Sequence, residues 1–417
     1  MKYISKRYKE PTDPIGTVAE LFAGVGGFRI GLSRANLKTV YSNQWEPGVK
    51  KQYASEIYGR KFGLAGHSNS DISGVQSIPV PFDILVGGFP CQDYSVAKSS
   101  GKASGLSGKK GVLWWEILRL VNVHKPRFVF LENVDRLLKS PSTQRGRDFA
   151  VMLKSLGEEG YLIEWRVINA AEYGCSQRRI RVFILATKIS QIEKLDPKLL
   201  ITKKGVLARA FPTLKSEAEP VTIDLSEEIA DISDTFNKSK NRSPFLNAGV
   251  YFNDFAYTTN VNADYRGSKK TLGSVLVNED LVPGNYWIPA SDKEKWEKLK
   301  NAKSIERTHK ASGKKYNYTE GKMSFPDSTN APSRTILTAE GGSSPSRFKH
   351  AILGLRGLRR LVPIELERLN GFPDDWTALD ASGTPVPDSK RAFLMGNALV
   401  IPLVERVGKV LAQDLKG

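Results

Sequence analysis

Short apolar segments alternate with segments of helical periodicity over the first 189 residues of the chain. This alternation is typical of a parallel sheet whose strands are connected by helices. From about 190 to 349 the residues are polar and follow neither period, and helical periodicity then returns. The predicted strands are 17–22, 39–43, 82–86, 127–131, 162–168 and 181–186, and the predicted helices are 28–35, 47–58, 113–123, 358–369 and 401–415.

This pattern predicts a chain that builds an α/β core, leaves it for an insertion and returns to complete it. We predict the first part of the core at 1–189, a second, smaller domain at 190–349 and a return segment at 350–417. A length of 417 residues suits two domains. Because no stretch is apolar enough to span a membrane or to act as a secretory signal, we expect a cytoplasmic protein.

The net charge and the numbers of cysteines and histidines limit the classes of binding partner that the sequence favours. The net charge is +18, which favours a polyanion such as nucleic acid, although charge alone leaves a merely solvated surface equally open. Two cysteines are too few for a disulfide framework, and the four histidines are isolated along the chain. We therefore expect no metal site.

A glycine-rich turn connects the first predicted strand to the first predicted helix. Phe22 is followed by Gly24, Gly26 and Gly27. Glycines at this position allow a tight turn and a close approach of a ligand to the helix amino terminus. A turn that binds no ligand would have the same sequence pattern. No phosphate-binding loop of the form G-x-x-x-x-G-K-[ST] is present in the sequence, so nothing favours an ATPase.

Three polar or aromatic residues downstream favour an adenosine-type cofactor. Gln44 follows the second strand and could accept a hydrogen bond from a ribose hydroxyl through its amide oxygen. Trp45 could stack on an adenine, and Asp71 could accept from the exocyclic amine. Each could also be an ordinary surface residue, but together they make a cofactor the better interpretation.

Cys91 is the candidate nucleophile. It follows Gly87, Gly88, Phe89 and Pro90 directly after a buried-type strand, so we expect its thiol to be exposed and positioned for attack. A lone cysteine is more often a small buried apolar residue, but the position of Cys91 makes a reactive thiol the better interpretation. The stretch 98–111 carries four lysines and predicts a loop that could close over a phosphate backbone.

Taken together, these residues resemble the DNA cytosine-5 methyltransferase family, of the bacterial restriction-modification type. Each short motif is common by chance, but six in the family's order are specific. Along the chain they are the cofactor loop at 22–28, the nucleophile motif Pro90, Cys91 and Gln92, the Glu132, Asn133 and Val134 motif, the Gln177, Arg179 and Arg181 motif, the helix before a Gly-Phe-Pro at 359–373, and Gly396 with Asn397.

The resemblance implies a Rossmann-like S-adenosylmethionine-dependent core with a smaller target-recognition domain. It implies methyl transfer from S-adenosyl-L-methionine to carbon 5 of a cytosine flipped out of double-stranded DNA. It assigns catalysis to Cys91, Glu132, Arg179 and Arg181. The implied cofactor residues are Phe22, Gly24, Gly26, Gly27, Gln44, Trp45, Asp71, Pro90, Leu113 and Asn397, and the implied DNA-binding residues are Gln92, Ser95, Lys98, Lys102 and Lys109.

The sequence departs from the family at Gln44, where a glutamate is usual. We therefore expect a weaker hydrogen bond to the ribose, because the charge-assisted bond is lost. We expect a monomer, and the restriction-modification type implies functional pairing with an endonuclease. Three other functions are open at this stage. They are an RNA cytosine-5 methyltransferase, a non-catalytic DNA-binding protein on the same scaffold, and a nucleotide-dependent oxidoreductase.

Overall fold

The described residues of the chain form two compact units. The computed structural model describes residues 7–89, 112–190, 195–215, 217–308, 313 and 315–417. The first unit comprises Met1–Gly174, Arg179–Ser268 and Leu399–Gly417, and the second comprises Cys175–Arg178 and Lys269–Ala398. These bounds differ from the predicted domain limits, since 195–268 belongs to the first unit and 350–398 to the second.

The regular elements are numbered along the chain. The strands are β1 (Gly16–Leu21), β2 (Leu37–Asn43), β3 (His67–Ser68), β4 (Ile84–Gly88), β5 (Phe128–Val134), β6 (Tyr161–Asn169), β7 (Gln177–Arg178), β8 (Ile180–Lys188), β9 (Val221–Asp224), β10 (Ala248–Phe252), β11 (Phe255–Thr259), β12 (Lys303–Thr308), β13 (Lys315–Glu320), β14 (Ser333–Arg334), β15 (Ile352–Gly354) and β16 (Gly357–Arg359). The helices are α1 (Gly27–Ser33), α2 (Tyr53–Phe62), α3 (Val112–His124), α4 (Arg147–Glu158), α5 (Pro197–Leu199), α6 (Val206–Ala210), α7 (Ile229–Thr235), α8 (Lys293–Lys300), α9 (Pro363–Asn370), α10 (Asp388–Asn397) and α11 (Ile401–Lys416).

The first unit is built on a ten-stranded sheet with the order β3-β2-β1-β4-β5-β8-β6-β10-β11-β9. Strands β3, β2, β1, β4 and β5 are parallel, whereas β8 runs antiparallel to both of its neighbours. Strand β4 is an apolar run in which Ile84, Leu85 and Val86 are fully buried, as expected for a parallel strand covered on both faces. The predicted α/β core is confirmed.

The sheet continues into the segment that we predicted to be a separate insertion. Strand β10 pairs with β6, and β11 and β9 follow it in antiparallel order. The chain reverses between β10 and β11 at Asn253 and Asp254, both of which have positive φ angles. The sequence pattern gives no sign of β10, because this strand is buried throughout and no alternation of apolar and polar residues marks it. Strand β9 has only four residues, mostly exposed, so no apolar run marks it either.

Two predicted helices begin later than their apolar pattern suggested. The helix predicted at 358–369 is α9, which begins at Pro363, and Leu358 instead lies in β16. Proline favours the first turn of a helix because it has no N–H to leave unpaired there. The helix predicted at 47–58 is α2, which begins at Tyr53.

The last helix, α11, packs against α1 within the first unit. Its apolar face includes Val404 and Val407, both fully buried. Gly31 in α1 leaves room for this contact. A Cβ atom added there would lie 2.8 Å from the Cβ of Val404 and 3.1 Å from the carbonyl oxygen of Ile401. The close approach of the two helices therefore depends on a residue without a side chain.

We predict that Gly31→Ala destabilises the protein by about 1–3 kcal/mol through overpacking. This cost opposes the ~1 kcal/mol that alanine normally contributes in a helix. The measurement is the melting temperature by circular dichroism, which should fall. Gly74→Ala is the control, because a Cβ there meets nothing within 4 Å. Equal melting temperatures for the two variants would contradict the packing described for α1 and α11.

Candidate active site

Several candidate residues lie at one edge of the large sheet. Strands β1, β4 and β5 are parallel, so their carboxyl ends share that edge. Strand β8 runs the other way, so its first residues lie there too. Ligands of open α/β sheets bind outside the carboxyl ends of the strands. The glycine turn after β1, Glu132 in β5 and Arg181 in β8 therefore lie along one edge.

The glycine turn has left-handed backbone at three positions. The φ angles are +54° at Phe22, +55° at Gly24 and +90° at Gly26. A Cβ atom on Gly24 would meet no protein atom within 4 Å, whereas one on Gly26 would lie 2.3 Å from the ring of Phe62. Gly26 is thus required by packing. Gly24 exposes its backbone to open space, which suits the approach of a ligand.

Gln44 links this turn to the end of β2. Its Oε1 accepts a hydrogen bond from the backbone N–H of Gly24 at 2.7 Å, and the residue is almost completely buried. The amide oxygen that we predicted to face a ribose hydroxyl is therefore engaged by the protein itself. Trp45 beside it is 37% exposed. Asp71 is exposed and accepts from the backbone N–H of Ser73 through Oδ1.

A buried polar network lies next to the strand that leads into the turn. The Tyr58 hydroxyl donates to Glu20 at 2.8 Å, and Arg29 donates to the Tyr58 oxygen and to Glu10. Burial raises the pKa of Glu20 to about 7, against opposing effects of the Tyr58 hydrogen bond and the Arg29 charge. Burial likewise lowers the pKa of His67, which stacks on Tyr58, to about 4.

Glu132 and Arg181 form a salt bridge across two antiparallel strands. Nε of Arg181 lies 2.9 Å from Oε1 of Glu132, and the two side chains are 17% and 12% exposed. The register places Arg181 opposite Val134, two residues from Glu132, so both side chains are on one face as diagonal neighbours. Both side chains are mostly buried and keep a small part of their surface exposed.

Arg179 supplies a second positive charge at this position. It is only 1% exposed. Burial, together with the charge of Arg181, lowers the pKa of its guanidinium to about 9, against the opposing charge of Glu132. At neutral pH the group is still protonated. The structure thus brings three of the four predicted catalytic residues together.

The end of β4 is shaped by its neighbours. A Cβ on Gly87 would lie 3.5 Å from the Phe22 ring, and one on Gly88 would lie 3.5 Å from Oε2 of Glu132. Both distances are ordinary van der Waals contacts, whereas a Cβ on Gly87 would also lie 3.0 Å from the carbonyl oxygen of Leu21. Gly87 therefore allows a close approach to the end of β1, and Glu132 lies beside Gly88 at the end of β4.

Asn133 has a role that the sequence did not assign. Its Nδ2 donates to the carbonyl oxygen of Phe89 at 3.0 Å, and its Oδ1 accepts from the backbone N–H of Val134. Phe89 is the last described residue before the segment that carries Cys91. Asn133 therefore holds the backbone at Phe89, directly after β4. In the sequence, the only indication of this role is the position of Asn133 between Glu132 and Val134 in the motif.

Other candidates lie elsewhere or outside the described residues. Leu113 is half-buried in the first turn of α3. Asn397 ends α10, and Gln177 is buried in β7; both belong to the second unit. The candidates that fall outside the described residues are Pro90, Cys91, Gln92, Ser95, Lys98, Lys102 and Lys109.

Among the described residues, no group of three or more His, Cys, Asp and Glu side chains is arranged to hold a metal ion. Within the same part of the chain, no helix has the length and apolar character needed to cross a membrane.

Known proteins resemble this chain over most of its length. The family model described as C-5 cytosine-specific DNA methylase matches residues 16–413. The Type II methyltransferase M.Sau3AI of Staphylococcus aureus is 44% identical over 406 residues, which are 94% of each chain. The Type II methyltransferase M.HpaII of Haemophilus parainfluenzae is 27% identical, over 96% of this chain and 90% of its own.

A solved structure supports the fold. The Dnmt2 methyltransferase of S. pombe aligns with a TM-score of 0.57 and 16% identity, over 96% of this chain and all of its own. At that identity the likeness concerns the fold alone. The predicted methyltransferase-type α/β fold is confirmed.

We predict that Glu20 makes stability depend on pH. Its pKa of about 7 lies above the ordinary value of 4.5, so its contribution is present below about pH 4.5 and is lost as pH rises through 7. The loss is on the order of 3 kcal/mol for this shift. Glu20→Gln should remove it, so the melting temperature of wild type should fall relative to the variant between pH 5 and 8.

The difference between the two proteins is the quantity to measure, because burial also raises the pKa of Glu164 to about 7 in both. The control is Glu217→Gln, whose side chain is 81% exposed. A constant difference between wild type and Glu20→Gln across this range would show that Glu20 is already ionised at pH 5.

Proposed function

The chain belongs to the family of C-5 cytosine-specific DNA methylases, and we propose that it acts through covalent attack of Cys91 on a cytosine rotated out of the duplex. It is a DNA cytosine-5 methyltransferase that uses S-adenosylmethionine as methyl donor. The oxidoreductase and RNA alternatives have no support from these relatives. The roles of individual residues are our proposals, argued below from the described part of the site.

The observation that carries the mechanism is the Glu132–Arg181 pair beside the end of β4. A carboxylate and a guanidinium, held 2.9 Å apart and partly exposed, offer a donor and an acceptor in fixed relative positions. Cytosine presents a ring nitrogen, an exocyclic amine and a carbonyl oxygen along one side of the ring. We assign Glu132 to the nitrogen 3 and amine side, and Arg181 to the carbonyl oxygen.

Cys91 is assigned the nucleophilic step. Carbon 5 of cytosine is too weak a nucleophile to take a methyl group directly. The Cys91 thiolate forms a bond to carbon 6, and the electron pair of the carbon 5–carbon 6 double bond moves into the ring, where Glu132 stabilises it at nitrogen 3. The positive charges of Arg179 and Arg181 favour an electron-rich ring and a thiolate nearby.

S-adenosylmethionine, when bound, supplies the electrophilic methyl group that carbon 5 takes up. Loss of the carbon 5 proton to a base then restores the double bond and expels Cys91 as thiolate. The enzyme's cysteine is thereby regenerated, and the product is 5-methylcytosine.

The cofactor fits the turn after β1. Gly24 has open space where a side chain would be, and Gln44, Trp45 and Asp71 follow β2 and β3. We propose that Phe22, Gly24, Gly26 and Gly27 border the methionine part of the ligand and that Trp45 and Asp71 contact its adenosine. Adjacent strands are ~4.8 Å apart, so the turn after β1 lies roughly 10 Å from β5, with β4 between them. This spacing leaves room for a cytosine at the end of β4.

DNA binding is assigned mainly to basic residues. We propose that Gln92, Ser95, Lys98, Lys102 and Lys109 contact DNA around the extruded base. We also propose that the segment 190–349 contains the target-recognising residues, with Arg242, Arg266, Lys269, Lys270, Lys314 and Lys315 as candidates. The net charge of +18 suits a phosphate backbone.

The relatives support a proposal for the biological setting. M.Sau3AI and M.HpaII, which resemble this chain, are both named as Type II methyltransferases. We propose that this enzyme is a monomer acting on double-stranded DNA in a bacterial cytoplasm, where its methylation protects DNA from a cognate endonuclease. Methylome sequencing of host DNA, with and without the expressed chain, tests this function. 5-Methylcytosine at one recurring site is expected, and unmodified DNA would refute it.

We predict that Cys91→Ala abolishes methyl transfer and leaves binding of DNA and cofactor nearly unchanged. On a duplex whose target base is 5-fluorocytosine, wild type should form a covalent complex because carbon 5 has no proton to lose. The complex is measured as a shifted band in denaturing electrophoresis. The control is Cys175→Ala, which changes a buried cysteine and should still form the covalent complex. Trapping by Cys91→Ala would refute the assignment.

We predict that Gln44→Glu tightens the binding of S-adenosylmethionine about 5- to 30-fold. A carboxylate can keep the hydrogen bond from Gly24 and offer its second oxygen to a ribose hydroxyl as a charge-assisted bond, which is roughly twice as strong as a neutral one. Isothermal titration calorimetry gives the Kd. Gln44→Leu, which removes the acceptor, should weaken binding. An unchanged Kd in both variants would place the ribose away from residue 44.

A further inference from the structure

A two-stranded ribbon in the second unit forms a sheet of its own. Strands β12 and β13 pair antiparallel from Lys303 opposite Glu320 to Thr308 opposite Lys315. Neither strand belongs to another sheet. All six residues of β12 are exposed, as are four of the six in β13. A ribbon exposed in this way contributes little to the core, so its sequence is available for another purpose.

One face of the ribbon is entirely polar and exposed. Side chains alternate between faces along a strand, so three cross-strand pairs share this face. Glu306 and Lys315 on it form an ion pair at 2.9 Å, with both side chains at least 60% exposed. The pairs on this face are Ser304 with Thr319, Glu306 with Asn317, and Thr308 with Lys315.

The opposite face stiffens the ribbon. The Arg307 guanidinium lies 3.9 Å from the centre of the Tyr318 ring, and the Tyr318 hydroxyl donates to Glu320 at 2.9 Å. Ile305 lies directly opposite Tyr318. An isolated two-stranded hairpin is marginally stable in water, so contacts of this kind are needed to hold it in one shape.

A buried arginine fixes the base of the ribbon. Arg347 donates to the carbonyl oxygen of Asn301, two residues before β12, and to that of Gly321, directly after β13. It also pairs with Glu320 at 3.0 Å. The chain entering β12 and the chain leaving β13 are therefore attached to the same side chain. This attachment sets the direction of the ribbon relative to the rest of the second unit.

We propose that the β12–β13 ribbon enters the major groove of the substrate DNA and that its polar face recognises base edges. The major groove is about 12 Å wide and admits a two-stranded ribbon. Six residues per strand span roughly 20 Å, which limits the contacted tract to about six base pairs. This inference rests on the proposed function, since it assigns the specificity of that same DNA substrate.

The charge and chemistry of the ribbon suit DNA. Between 303 and 322 the sequence has six lysines and arginines against two glutamates. The polar face carries residue types that distinguish base pairs in this groove. Asparagine pairs with adenine, glutamate accepts from cytosine, and lysine donates to guanine. The charged groups of the opposite face are engaged within the unit, since Arg307 lies over the Tyr318 ring and Glu320 pairs with Lys303 and Arg347.

The test compares the sequence preference of wild type with that of Asn317→Ala and Glu306→Gln. Full-length enzyme methylates a library of random duplexes, and bisulfite sequencing gives the preference at each position around the modified cytosine. Each variant should lose about 5- to 100-fold discrimination at one position of the site while the other positions keep theirs. The matched controls are Asn330→Ala and Glu297→Gln, exposed residues of the same unit.

Three outcomes would decide against the ribbon. They are an unchanged preference in both variants, an equal loss of rate on every sequence, and an equal change in the controls. If a variant is too slow to sequence, competition between specific and random duplexes for binding replaces the rate, and an unchanged ratio also overturns the proposal. If wild type itself fails to methylate cytosine, the proposed function fails instead.

Discussion

The salt bridge between Glu132 and Arg181 depends on the change of strand direction between β5 and β8, where the parallel run β3-β2-β1-β4-β5 ends. Strands β1, β4 and β5 deliver their carboxyl ends to a single edge, and the antiparallel β8 brings its first residues to the same place. A parallel β8 would present its last residues there instead, and Arg181 would lie at the far edge. The register places both side chains on one face as diagonal neighbours, within reach of the 2.9 Å contact. Glu132 lies beside Gly88 at the end of β4.

The same region buries charge at an energetic cost. Arg179 and Glu20 are both almost inaccessible to solvent. Burial lowers the pKa of Arg179 and raises that of Glu20, and both shifts favour the neutral form of the group. Transfer of a charge out of water is expensive unless partners compensate it. Glu20 is held by Tyr58 near Arg29, whereas Arg179 lies within the fields of Glu132 and Arg181. Such groups are costly for stability, and they lie beside the glycine turn and the Glu132–Arg181 pair.

Some residues that carry the family resemblance stabilise the second unit internally. Gln177 accepts from the backbone of Ile336 and donates to Asn370, whose amide donates to the carbonyl oxygen of Met395. Arg359 forms a fully buried pair with Glu365. A motif can therefore identify a family through residues that hold backbone segments together. In this unit, the exposed ribbon carries the polar groups suited to recognising DNA.

The sequence by itself determined the α/β core, the glycine turn and the order of the motifs. Parallel strands buried on both faces are apolar runs between helices, and turns need glycine, so both leave local signals. It did not reveal β10, because a short strand that is buried throughout has no alternation of apolar and polar residues, nor β9, which has only four residues and is mostly exposed. Nor could it place Gln44 against Gly24, Asn133 against Phe89, or Arg347 across the base of the ribbon. Those contacts join residues distant in the chain, and only the paired strands and packed turns of the tertiary structure bring them within hydrogen-bonding distance.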